Sequence, residues 1–177
     1  MTACELRITQ LPARNVTLLQ VDGTHDEKLA SLVDRLLSPG NRESAIRDHG
    51  CPRAYELSAT ECLLVDFPRE RLRRSLRDCG RVLLRLTDVS SAFALLRVAG
   101  SAAGRILTGE LETRRGPAGG GPDWYGRARL GEAEVIVQRA GGDSFDLYVV
   151  RGLSPYLESW LRARWQARFP PVRSTVQ

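Results

Sequence analysis

An α+β protein of two small fused lobes, each an antiparallel sheet with helices packed on one face, is what this sequence predicts. Three observations carry the expectation. Short runs alternating apolar and polar residues recur with turn residues between them, as half-buried strands do. Runs with helical apolar spacing fall between the strand pairs, in the order ββα–ββα, then ββα–βββα, and such helices cover one face of a sheet. The 177 residues are 42% apolar, enough to bury a core. A boundary near Gly80 divides residues 1–80 from 81–177. No linker separates the two lobes there, so they are expected to pack as one unit.

Leu6 to Leu11 alternates and reads as a strand, Pro12 to Asn15 as a turn, and Val16 to Val21 as a second, more buried strand of an N-terminal hairpin. Thr24 begins a helix, with Glu27 three positions on completing a capping box and Leu29, Leu32, Val33, Leu36 and Leu37 as its apolar stripe. Ser38-Pro39-Gly40 stops it. Ala54–Leu57 and Cys62–Val65 read as two strands joined around Ser58–Thr60. Pro68 suits the first turn of a helix that buries Leu72, Leu76 and Cys79 and ends at Gly80.

Val82–Leu86 and Phe93–Val98 are the next strands, and Thr87 to Val98 reads as a hairpin. A short helix at about 101–109 follows, and then a Gly/Pro-rich loop over Arg114–Pro122. Trp124–Leu130 and Ala133–Gln138 form a hairpin around Gly131, and 144–150 is a third strand. Ser154-Pro155 caps a final helix whose stripe is Leu157, Trp160, Leu161 and Trp165.

The chemical inventory is sparse. The four cysteines, Cys4, Cys51, Cys62 and Cys79, form no Cys-x-x-Cys pair. Zinc needs four clustered N or S ligands, so the cysteines read as reduced structural thiols and no metal is expected. His25 falls in a first helical turn and His49 in a polar loop, both as surface residues, which leaves no nucleophilic triad. The glycines at 119–121 do not run into a helix N-terminus, as a phosphate cradle would. Asp143 reads as turn chemistry after Gly141-Gly142, and Asp146 as a strand residue able to carry a functional charge. No apolar run approaches the ~18–20 residues that span a bilayer. No secretory signal is visible, so a cytoplasmic location is expected.

Net charge is +5, with a single lysine, Lys28, among 26 basic residues. Arg69, Arg73 and Arg77 recur at i, i+4 and i+8 opposite Leu72 and Leu76, with Arg71 and Arg74 nearby. This stripe is either a solvated helix face, partly paired through Glu70 to Arg74, or a docking surface for an acidic partner or phosphate backbone. Trp124-Tyr125 beside the Gly/Pro loop fits a protein–protein hot spot. Trp124, Tyr125, Arg69, Arg73 and Arg77 are therefore the candidate partner contacts, with no catalytic, cofactor-binding or metal residue among them.

Four ordered segments carry a family resemblance: Ala54-Tyr55-Glu56-Leu57-Ser58-Ala59-Thr60-Glu61-Cys62-Leu63-Leu64-Val65, Thr87-Asp88-Val89-Ser90-Ser91, Leu95-Leu96-Arg97-Val98-Ala99-Gly100 and Phe145-Asp146-Leu147-Tyr148-Val149. Together they resemble the gamma subunit of heterotetrameric sarcosine oxidase, whose fold is shared in part with the glycine-cleavage T-protein. The resemblance runs from about residue 53 to 165. Cys62 stands where that family usually has Trp, and residues 109–115 replace a stretch that there carries Cys and His. These departures fit a divergent relative serving another secondary or N-methylated amine.

The resemblance implies a non-catalytic subunit of a flavoenzyme that oxidises sarcosine to glycine, forms peroxide and passes the one-carbon unit to tetrahydrofolate. It further implies alpha, beta and delta partner subunits carrying FAD, FMN, NAD, zinc and tetrahydrofolate, with none of these on this chain. Two other readings stay open. One is a stand-alone folate-binding one-carbon protein using Asp146 or Glu112 to hold a pterin, although the chain is about half the length of a complete T-protein. The other is a basic nucleic-acid-binding module built on the arginine stripe.

Overall fold

Two strands that are neighbours in sequence, Arg7–Leu11 (β1) and Val16–Val21 (β2), enter different sheets. The computed structural model describes residues 5–12, 14–21, 26–36, 53–77, 83–108 and 125–170. The remaining elements are α1 (Asp26–Leu36), β3 (Arg53–Glu56), β4 (Glu61–Val65), α2 (Arg69–Arg77), β5 (Leu84–Asp88), β6 (Phe93–Ala99), α3 (Ala103–Thr108), β7 (Tyr125–Leu130), β8 (Ala133–Gly141), β9 (Ser144–Val150) and α4 (Ser154–Arg168). The α+β class and the two antiparallel sheets are as the sequence predicts.

The chain divides into a continuous unit, residues 13–92, and a discontinuous one, residues 1–12 with 93–177. This differs from a single boundary near Gly80, and strand pairing gives the reason. β1 pairs with β6, Leu11 opposite Leu95, so the first strand belongs with the C-terminal sheet. β5 pairs with β2, Leu19 opposite Leu86, so residues beyond Gly80 belong with the N-terminal sheet. Neither expected hairpin, β1–β2 or 87–98, forms. A 3₁₀ turn at Ser90–Ala92 carries the chain from one sheet to the other.

The continuous unit has strand order β3-β4-β2-β5. Alternate residues Leu19, Val21, Ala54, Cys62 and Leu64 face Leu29, Leu32, Val33 and Leu36 of α1 and Leu72 of α2. The 3.6-residue stripe of each helix thus meets the period-2 face of the sheet. Leu37, the Thr24 capping box and Cys79 lie outside the described residues.

The discontinuous unit has order β1-β6-β9-β8-β7. One face contributes Ala94, Leu96, Val98, Phe145, Leu147, Val149, Val135 and Val137, and α3 and α4 cover it with Ile106, Leu107, Leu157 and Leu161. The β7–β8 hairpin turns at Gly131, whose φ of +60° is the conformation primed two-residue turns use. The Tyr156 hydroxyl accepts the Glu132 N–H at 3.1 Å beneath that turn. A side chain at Gly131 would press on that hydroxyl and on the Trp160 indole nitrogen. Ser154 does not cap α4. The N-cap position is Leu153, without a side-chain bond, and Ser154 is buried within the helix, because the preceding 3₁₀ turn runs straight into it and the Ser154 N–H donates to the Arg151 carbonyl.

Candidate partner-contact surface

Arg69 opens α2 and pairs with Asp88 at the end of β5. Asp88 is itself fixed by Ser90, whose hydroxyl donates to Oδ1 at 2.7 Å and whose N–H donates to the same oxygen at 3.0 Å. The Ser90 hydroxyl also accepts the Val16 N–H at 2.9 Å. These Ser90 bonds first, and the Arg69 guanidinium after them, hold the Asp88 carboxyl below its ordinary pKa. Arg69 therefore serves to fasten the start of α2 to the strand edge. The sequence signal for this clasp is Asp-x-Ser at the end of a strand, the spacing at which side chains bond backbone two residues on.

Arg73, Arg74 and Arg77 are exposed along the same helix. No hydrogen bond or ion pair joins them to any described residue, and the expected Glu70–Arg74 pair does not form. Trp124 lies outside the described residues. Tyr125 begins β7 opposite Gln138, but its side chain is not described. The structure thus brings Arg69, Arg73 and Arg77 onto one helix and puts Tyr125 at the start of β7.

Asp146, the strand carboxylate, is 1% exposed and faces Arg97 directly across β6–β9. Arg97 binds it with two hydrogen bonds, Nε at 2.8 Å and a terminal nitrogen at 3.0 Å. This bidentate pair occupies both carboxylate oxygens, so Asp146 is committed to the sheet and is poorly placed to hold a pterin. Glu112, the other carboxylate considered for that role, lies outside the described residues. A second inward carboxylate, Asp66, takes 2.7 Å from Arg14 and sits at φ +59° where β4 ends. Sequence reasoning missed this pair, since its members are 52 residues apart.

Cys62 is a fully buried free thiol on β4, and burial pushes its pKa to about 12. At that value it stays protonated and inert. Among the described residues no three His, Cys, Asp or Glu converge on a point that could hold a metal, and no helix is long and apolar enough to cross a membrane. His25, His49 and the other three cysteines lie outside the described residues.

No protein-family model matches the sequence, and no curated protein matches it. Solved structures do match in fold. A chain of the heterotetrameric sarcosine oxidase from Corynebacterium sp. U-96, in complex with pyrrole 2-carboxylate, superposes at a TM-score of 0.66 and 16% identity, over 96% of this chain and 87% of that one. The chain shares the fold of a sarcosine oxidase chain. At this identity the likeness establishes architecture. The aspartate kinase of Clostridium acetobutylicum aligns at a TM-score of only 0.39 with 8% identity, covering 89% of this chain and 34% of that one. The regulatory subunit of aspartate kinase from Thermus thermophilus reaches 0.33 with 12% identity, covering 94% and 99%. Both are too distant to carry an argument.

Proposed function

We propose that this chain is a non-catalytic, gamma-type subunit of a heterotetrameric sarcosine oxidase-like flavoenzyme. The complex would oxidatively demethylate sarcosine or a related secondary amine, form peroxide and transfer the one-carbon unit to tetrahydrofolate. FAD, FMN, NAD, zinc and tetrahydrofolate would reside on the alpha, beta and delta partners. The observation that carries this reading is the fold match along nearly the full length of both chains. The ordered motifs of the sequence support the gamma assignment. The commitment of Asp146 to Arg97 supports a scaffold over a folate binder, because the carboxylate best placed by sequence is spent inside the sheet.

A tagged copy of the chain, expressed in its native cells and purified gently, tests the proposal. Flavin absorbance and two or more larger chains should co-elute with it in fixed ratio. A flavin-free chain recovered alone contradicts the subunit reading.

A further inference from the structure

We infer that the outer face of α2 docks on an acidic protein surface of a flavin-bearing partner subunit, with Arg73, Arg74 and Arg77 as the contacts. This rests on the subunit reading above and names the surface through which it would act. Three facts support it. The three arginines are exposed, and no described residue supplies a counter-charge. They lie within about 6 Å of helix rise, less than the ~8 Å screening length of physiological salt, so they act as one patch. The helix is also held firmly. Leu72 is 1% exposed in the core, and the Arg69–Asp88–Ser90 clasp fixes the first turn. A helix already fixed in place loses little backbone freedom on docking, which leaves the ordering of the arginine side chains as the main entropic cost.

The chemistry selects the occupant. Guanidinium groups pair bidentately with carboxylates and tolerate burial at interfaces better than ammonium groups. Glu70 is the only acid on the helix, so the face carries a surplus of positive charge that an acidic surface would complement. Nucleic acid fits less well. α2 has no aromatic residue for base stacking, and neutralising three phosphates gives a salt slope of only about 3.

The test is the triple variant Arg73→Gln/Arg74→Gln/Arg77→Gln, in full-length tagged chain expressed in native cells, with Arg69 left in place. A triple Arg→Lys variant is the companion, since it keeps charge and loses the bidentate fork. Partner recovery is read as flavin absorbance per tagged chain, and circular dichroism confirms that each variant is folded. We expect the Gln variant to recover about tenfold less flavin-bearing partner than wild type, with the Lys variant between them. Wild-type recovery by a folded Gln variant overturns the docking surface and leaves the subunit reading standing. A wild-type chain that recovers no flavin-bearing partner overturns the subunit reading and the surface with it. RNA retained by wild type in place of a flavin chain, and lost by the Gln variant, assigns the face to nucleic acid and overturns the proposal.

Discussion

Two arginine-rich helices, α2 and α4, use the same side chain in opposite ways. On α4, Arg162 pairs with Glu158 at 2.7 Å, and Arg164 lies 5.1 Å from the centre of the Trp160 ring. Arg105 of α3 lies 4.7 Å from the Phe169 ring just past the end of α4. On α2 Arg69 pairs with Asp88, while Arg73, Arg74 and Arg77 project without a partner among the described residues. Composition cannot separate these cases, because the chain is arginine-rich throughout. Local counter-charges and aromatic neighbours do. Two of the three α4 arginines, Arg162 and Arg164, are spent on their own helix, whereas Arg73, Arg74 and Arg77 of α2 meet no counter-charge among the described residues.

The largest effect is expected at Arg97 of β6, which two hydrogen bonds tie to buried Asp146. Arg97→Ala leaves Asp146 as a buried charge without its partner and should cost about 3–5 kcal/mol, read from denaturant unfolding. A loss below about 1 kcal/mol would show that Asp146 does not depend on Arg97. The double variant Arg97→Ala/Asp146→Leu should recover much of the loss, since no buried charge remains.

Next in size is the footing of α4. Leu161→Ala empties a fully buried site and should destabilise by about 3 kcal/mol. Gly131→Ala forces a side chain into positive φ against Tyr156 and Trp160, and about 2 kcal/mol is expected. Thermal melts that place Gly131→Ala level with wild type would remove the turn as a support for α4.

Smaller effects sharpen the contrast directly. Arg164→Ala should cost about 0.5–1 kcal/mol through the lost ring contact, and single Ala substitutions at Arg73, Arg74 or Arg77 should fall within about 0.5 kcal/mol of zero. Equal costs on the two helices would erase the distinction.

The finest effect is a titration. Asp88 has a lowered pKa in the folded chain, so its stabilising contribution is present above its unfolded pKa. That contribution is lost as pH falls through the lower, folded value. Ser90→Ala should raise the Asp88 midpoint, followed by carboxyl NMR shifts. An unchanged midpoint would mean that Ser90 is not the main cause.

Much of the fold was legible because strands and helices announce themselves locally. The apolar, buried strand Val16–Val21 and the stripe Leu29, Leu32, Val33 and Leu36 need no distant information, and both held. Pairing does need it. Ser90–Ala92 looks like a hairpin turn from its own residues, yet β2, some seventy positions earlier, captures β5 and sends β6 elsewhere. The contact units divide at residues 12 and 92 and not near Gly80 for the same reason, since Leu11 pairs with Leu95 far along the chain. The charges followed suit. Asp146 was visible as a strand carboxylate, but its commitment depended on Arg97 across the sheet, 49 residues away. The arginines of α2 were legible as a stripe. That they lack the Glu70–Arg74 pair is a matter of side-chain geometry that spacing alone does not decide.

The most direct test of the subunit account is native mass spectrometry of the tagged chain drawn gently from its own cells. The account predicts one copy of this chain in an assembly with three different larger or smaller chains and bound flavin. A spectrum dominated by this chain alone, or by copies of itself without flavin, would contradict it.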